Sequence, residues 1–394
     1  MAGMADSYEA AATALQVVGE LAISARTVNK LAAQVGDQMA VDRDQRVERY
    51  VKQDLPRVMK EVDPPPALAA VFCDGGRMRT RAEGGGHGVH EPHWRETKNA
   101  AFHRMKSESY RSDPQPDLPE CFRNQAYVEK LVLGLKKAKQ PQQEMISPLV
   151  EDTASAAAEI CEEPVEWQPK TLLRTCVSSL ASSNAFGPHM AQEADARGFF
   201  AAPKRAFLGD GQSYNWTIQR EWFPTFTPIA DFIHALEYIY EAAQALHEDA
   251  SSRWQQYLSW ATAGWQGKVD QVIEQMQTHL PIVSGELTED LDSLTTVRTS
   301  ATYLANNRSR MDYPKYRRDG LPVTSSLAES LVKQISKRVK GTEKFWDDGR
   351  RGEAILQIRA AVISQDDRLA RFLRQRPISP YSPRCRVPQL AIAA

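Results

Sequence analysis

Two short apolar runs in this chain end the same way. Leu68-Ala-Ala-Val-Phe-Cys73 gives way at once to Asp74-Gly75-Gly76, and Ala206-Phe-Leu208 gives way to Gly209-Asp210-Gly211. Continuous apolar stretches bounded by glycine predict strands buried on both faces. We therefore expect a first strand over 67–74 and a fourth over 202–208. Residues 77–81 alternate and predict a hairpin partner for the first strand. Residues 93–98 predict a third strand and 226–229 a fifth. Most of the rest has helical spacing: 11–18, 21–36, 43–62, 124–138, 172–199 with an interruption at Gly187-Pro188, 235–250, 252–277, 286–304 and 329–339. The expected fold class is α/β and helix-rich, a five-stranded mixed sheet flanked by helices. Pro64-Pro65-Pro66 is a rigid break. It divides a helical segment, 1–66, from a larger domain, 67–375. That domain holds a variable insertion over about 107–170 and an all-helical insertion over about 235–322. A Pro-containing tail, 376–394, follows.

The chemistry lies where the pattern turns polar. A carboxylate at the end of a buried strand is costly unless something binds it. Two of them at neighbouring strand ends call for a cation between them, and a hard divalent metal suits oxygen ligands. Taken singly, Asp-Gly is also the commonest hairpin signal, so each aspartate alone could equally be a turn residue. A third carboxylate follows Gly320-Leu-Pro-Val-Thr-Ser325-Ser326. Either serine can cap a helix there, with Glu329 in its first turn. Asp on a strand end, Asp on a strand end and Glu on a helix form the ligand order of two-metal phosphoryl-transfer enzymes with a ribonuclease-H-like, retroviral-integrase-like fold. Two Mg²⁺ or Mn²⁺ ions about 3.5–4 Å apart would activate the nucleophile and stabilise the leaving oxygen. Asp74 would bridge both ions, and Asp210 and Glu329 would each hold one.

Four motifs in this order carry a family resemblance: Val71-Phe-Cys-Asp-Gly-Gly, Phe207-Leu-Gly-Asp-Gly, Asp231-Phe-Ile-His234 and Ser325-Ser-Leu-Ala-Glu329-Ser-Leu-Val-Lys. Together they resemble the DDE transposases of ISKra-type bacterial insertion sequences, which are similar to the Mutator-like transposases. The resemblance spans roughly residues 20 to 372. It implies a DNA transposase that cuts insertion-sequence ends and joins their 3′-hydroxyls to target DNA. It also implies double-stranded DNA as partner and a homodimer or higher oligomer on that DNA. Asp231 and His234 become accessory residues near the site; the plainer reading is a helix cap and a buried histidine. Trp94-Arg95-Glu96-Thr97-Lys98 resembles a Trp-Arg-Glu-x-Lys stretch of the family. The Cys-rich, zinc-ribbon-like segment that the family often carries upstream is missing, which suggests a shortened copy. Two other functions fit the same residues: a catalytically silent, transposase-derived DNA-binding protein, and a hydrolytic nuclease that cuts without joining.

Charge refines the picture. Net charge is −1 over 394 residues, so the chain is not basic as a whole. Between residues 298 and 351, however, thirteen Lys/Arg face six Asp/Glu, and residues 141–167 hold seven acids and no Lys or Arg. Lys333, Lys337, Arg338 and Lys340 follow Glu329 on its helix and are candidate phosphate contacts; a solvated helix face is the plainer reading. Near the N-terminus, residues 21–36 look like a helix-turn-helix. Ser24 would cap the second helix, Val28, Leu31 and Val35 would face the core, and Arg26, Asn29 and Lys30 would face DNA. An amphipathic hairpin without DNA contact has the same pattern. His87, His90 and His93 sit in a Gly-rich stretch and predict a loop more than a metal site. The five cysteines form no Cys-x-x-Cys pair, which predicts a reducing, cytoplasmic setting and no structural zinc. No apolar run has membrane-spanning length.

Overall fold

The computed structural model describes residues 1–53, 64–81, 93–139, 167–280, 291–324, 326–340, 344–346 and 349–376; for 137–139, 291 and 326–331 only the backbone is described. Five strands among these residues form one sheet: β1 (Leu68–Thr80), β2 (His93–Lys106), β3 (Lys170–Ser179), β4 (Lys204–Gly209) and β5 (Thr227–Ala230). Their order is β3-β2-β1-β4-β5. β2 runs antiparallel to β1 and β3, while β4 and β5 run parallel to β1. Residues 68–73 are all buried, so the apolar run follows from a strand covered on both faces.

Two expectations about strands fail, and both failures concern glycine or length. Gly75-Gly76 does not turn the chain into a hairpin. β1 runs straight on to Thr80, and β2 pairs with it from Leu68↔Met105 to Thr80↔His93. Gly76 is needed for close approach instead: a Cβ there would lie 2.6 Å from Thr97 Oγ1 and 2.9 Å from Asn99 Nδ2. The expected helix over 172–199 is a strand followed by a helix. Lys170–Ser179 is β3, rich in Thr, Cys and Val, and only Ser183–Ala196 is helical. That helix runs through Pro188 without a break.

The helices are α1 (Tyr8–Gly19), α2 (Ala25–Lys52), α3 (Glu120–Arg123), α4 (Gln125–Lys139), α5 (Ser183–Ala196), α6 (Ser213–Trp222), α7 (Phe232–Leu246), α8 (Ala250–Trp265), α9 (Val269–Thr278), α10 (Leu291–Asn307), α11 (Tyr313–Arg318), α12 (Ser326–Val339), α13 (Gly349–Ile363) and α14 (Arg368–Gln375). α12 packs against β1 and β2, and α13 packs against β3. Helices α7 to α11 occupy the stretch between β5 and α12 and pack on one another. No helix among the described residues is long and apolar enough to cross a membrane. Cys73 and Cys176 are buried thiols, whereas Cys121 is disulfide-bonded, a bond that a reducing compartment would not favour.

The N-terminal helices are docked on the main body. Ser24 caps α2, its Oγ accepting from Thr27 N at 3.2 Å. α2 is one helix of 28 residues, longer than the second helix expected of a helix-turn-helix. It lies against α13 through Gly36, where a Cβ would meet the Ala354 carbonyl. Arg43 donates to Glu353, and Arg350 pairs with Asp37 at 2.8 Å. Val28 is buried as expected, but Leu31 is half exposed; Ala32 and Gly36 fill the buried face instead.

Candidate active site

The register of the parallel pair β1/β4 ends at Cys73↔Gly209. Asp74 and Asp210 are the next residues of each strand, on strands roughly 5 Å apart. Both line one cavity of about 230 Å³. Its other walls come from elements distant in sequence: Glu96 of β2, Lys130 and Leu135 of α4, His234 of α7 and Val332 of α12.

Local structure fixes each aspartate. Asp74 Oδ1 accepts from Gly75 N at 2.7 Å. Asp210 Oδ1 accepts from Gln212 N at 3.0 Å and Asn215 Nδ2 at 2.7 Å. Gly211 has φ +91°, in a region that favours glycine, and the Tyr303 ring covers the space a Cβ would take. Tyr303 OH donates to Asp210 O at 3.0 Å, and its ring stacks on Tyr238 at 3.8 Å. Thus α10 and α7 of the helical insertion hold the turn that presents Asp210.

The aspartates act on the buried groups beside them. Burial pushes the Cys73 thiol well above its ordinary value, and Asp74 and Asp210 push it further. Burial, Cys73, Asp210 and Asp74 do the same to the Tyr214 phenol. His234 is the complement. Burial alone would depress it, but Glu237 at 3.4 Å, Asp231 at 3.8 Å, and then Asp210 and Asp74 raise it to about 10. An imidazolium is therefore held at the inner wall.

Asp231 and His234 adopt the plainer of the two expected roles, a helix cap and a buried histidine, and His234 also borders the cavity. Asp231 caps α7, its Oδ1 accepting from Ile233 N at 3.3 Å, and is wholly buried. His234 is buried and also lines the cavity with Asp74 and Asp210. Glu329 lies in α12, whose later residues Val332, Lys333 and Ser336 line the cavity; its side chain is outside the described residues, as are Ser325, His87 and His90. His93 is used at the start of β2, with Nδ1 3.1 Å from Thr80 Oγ1. Trp216 supports the core, with Nε1 donating to Asn307 Oδ1 at 2.8 Å.

The expected phosphate contacts separate. Lys333 and Lys340 line the cavity, and Lys337 is exposed on the same helix. Arg338 does not belong with them. It is 3% exposed, donates to the carbonyls of Ala2 and Asp6, and lies over the rings of Tyr8 and Trp346. A guanidinium so enclosed offers nothing to a phosphate. Arg26 and Lys30 are exposed near the start of α2, and Asn29 is half-buried there. Sequence reading had not placed Glu96, Lys130 or Arg77 at the cavity; the alternation of residues 77–81 gave the only hint, and it pointed to a hairpin.

Among the described residues no group of three metal-ligating side chains forms. The donors that the cavity does hold are nonetheless those a hard cation takes: carboxylate oxygens side by side, just past the end of the parallel β1/β4 ladder. No protein-family model matches this chain, and no curated protein matches it.

Proposed function

We propose that the protein is a DDE-type DNA transposase, cutting the ends of an insertion sequence and joining their 3′-hydroxyls to target DNA. The observation that carries this reading is the placement of Asp74 and Asp210 side by side, just past the end of the parallel β1/β4 ladder, in one cavity. The sheet supports it: five strands of mixed direction, in the order β3-β2-β1-β4-β5, are compatible with a ribonuclease-H-like fold. The helix that carries Glu329 packs on β1, the strand that carries Asp74.

Asp74, Asp210 and Glu329 would hold two Mg²⁺ or Mn²⁺ ions, whose positive charge activates the attacking oxygen and stabilises the leaving one. The chain's own groups do the rest. Asn215 and Gln212 N orient the Asp210 carboxylate, and the Tyr303 hydroxyl fixes its backbone. His234, charged at neutral pH, tempers the repulsion between the aspartates and the incoming phosphates. Leu131 and Leu135 of α4 close one side of the cavity and limit water there.

The test is product identity. The purified protein is incubated with Mg²⁺ and a plasmid carrying its gene with the flanking DNA, plus a target plasmid. The reading expects joined products with the element's 3′ ends linked to target strands. Cut ends without joining would replace it with a hydrolytic nuclease. Binding without cutting would replace it with a catalytically silent DNA-binding protein.

A further inference from the structure

Arg77 of β1, Lys130 of α4 and Lys340, just past α12, all line the cavity. None of them forms an ion pair with another described residue. Two of the cavity's carboxylates are engaged with other groups. Glu96 stands directly across the β1/β2 register from Arg77, yet its carboxylate goes to Lys98 Nζ at 2.5 Å. Lys98 is itself buried, with Nζ 3.7 Å from the centre of the Tyr214 ring. Asp210 Oδ1 is taken by Gln212 and Asn215. Lack of a partner is not general to α4: Lys136 on the same helix pairs with Glu241 at 3.0 Å.

Arg77 and Lys340 are close enough to feel each other. Burial and then the Arg77 charge hold the Lys340 amine below the usual lysine range. Two cations in proximity on the wall of the cavity, one of them partly desolvated, form a place that a bound anion stabilises. The anion must also tolerate the aspartates, so it must reach along the wall and not sit on the carboxylates. A polyanionic strand does this; its phosphates repeat at intervals.

We propose that Arg77, Lys130 and Lys340 form a phosphate seat that grips the nucleic-acid backbone on one side of the reactive phosphodiester. The proposal rests on the reading of the cavity as a DNA-processing site. Arg77 is three residues beyond Asp74 on β1, about 10 Å at roughly 3.3 Å per residue, so the seat meets the backbone away from the reactive phosphate. Lys130 comes from a different element, so the backbone is contacted from two walls and not from one helix face alone. The guanidinium of Arg77 suits two phosphate oxygens at once, and the lysines act as point charges.

The experiment separates the seat from the chemistry by removing metal. Binding of a fluorescent duplex of arbitrary sequence is measured in EDTA across a salt series, for the full chain and for Arg77→Gln, Lys130→Gln, Lys340→Gln and Lys136→Gln. Each of the first three should weaken binding and lower the slope of log affinity against log salt by about 0.9, the value for one released counterion. Lys136→Gln should leave the slope unchanged, and Arg77→Lys should restore most of the slope lost in Arg77→Gln. Unchanged slopes in the first three variants, or no duplex binding by the wild type, would overturn the seat. So would binding of inorganic phosphate alone that no duplex displaces. Cutting in Mg²⁺ is followed in parallel. Cutting with unaltered slopes removes the seat and leaves the transposase reading; the expected slopes with no cutting by the wild type remove that reading and leave the seat.

Discussion

Asp74 and Asp210 each stand one residue past the last registered pair of β1 and β4, Cys73↔Gly209, so a parallel ladder alone sets their side-by-side placement. The Gly211 turn then fixes how Asp210 is presented. Carboxylates placed by strands move less than carboxylates placed by loops, which is what a site that must hold two close cations needs. The placement is also local in sequence terms, because each aspartate is tied to the end of its own apolar run.

The turn after β4 depends on one glycine and one phenol. Gly211→Ala introduces a Cβ at φ +91° and against the Tyr303 ring. The left-handed conformation alone costs about 1–2 kcal/mol, and the ring must also move. Tyr303→Phe removes only the hydrogen bond to Asp210 O, about 1 kcal/mol. Urea unfolding should rank Gly211→Ala as the more destabilised. Strand cleavage should drop in both variants, and further in Gly211→Ala, because it displaces the carboxylate and the phenol together.

Much of this was legible in the sequence, for a physical reason. β1 and β4 carry continuous apolar runs over their buried stretches, where both faces are covered, and such runs are visible without an alignment of faces. The far half of β2, Asn99 to Lys106, has neither strict alternation nor a clean run, and only its start at His93 was legible. β3 reads as helix in the sequence because Leu172, Leu173, Cys176 and Val177 also fit a helical spacing. Gly75-Gly76 reads as a turn because the clash that requires glycine comes from Thr97 and Asn99, on a strand the sequence alone does not pair residue by residue. Burial of Arg338 was illegible for the same reason: Ala2, Tyr8 and Trp346 meet it only in the fold.

Stability should fall steadily as pH drops below neutrality. His103 and His189 are buried and neutral; burial, then Arg174 for His103 and Arg43 for His189, lower them from 6.5 to about 3. An unfolded histidine takes up a proton near 6.5 while the folded one does not, so stability is lost as pH falls from 6.5 toward 3. Glu193 adds a lower window. Burial would raise its carboxyl, but Arg197 at 2.5 Å and then Arg368 hold it at about 2, down from 4.5. Its contribution is complete above 4.5 and is lost between 4.5 and 2. Urea midpoints measured from pH 7 to pH 3 should decline throughout. Glu193→Gln should cost about 1–3 kcal/mol at pH 7, since Arg197 and Arg368 lose one buried carboxylate but keep Asp366, and should flatten the curve below pH 4.5.

Docking of α2 on α13 can be tested at Gly36. A methyl group there would meet the Ala354 carbonyl, so the two helices must separate. Gly36→Ala should lose about 1–3 kcal/mol, the usual cost of overpacking, although alanine favours a helix. Limited proteolysis should cut α2 faster in the variant. Wild-type stability and an unchanged digestion pattern would show that the helices do not meet at this point.

The claim that Asp74, Asp210 and Glu329 act as one metal-dependent site is tested most directly by strand cleavage of a duplex bearing the element's ends, in Mg²⁺ or Mn²⁺, alongside gel-shift affinity for the same duplex. Asp74→Asn, Asp210→Asn and Glu329→Gln are compared with Glu343→Gln. Loss of one hard anionic ligand should lower cleavage by at least about 100-fold, a transition-state loss of roughly 3 kcal/mol or more. Binding should be unchanged or tighter, since a negative charge facing the backbone is gone. Glu343→Gln should cut like the wild type. Near-wild-type cutting by Asp74→Asn or Asp210→Asn would contradict the account at its centre; near-wild-type cutting by Glu329→Gln with loss in Glu343→Gln would move the third ligand to Glu343.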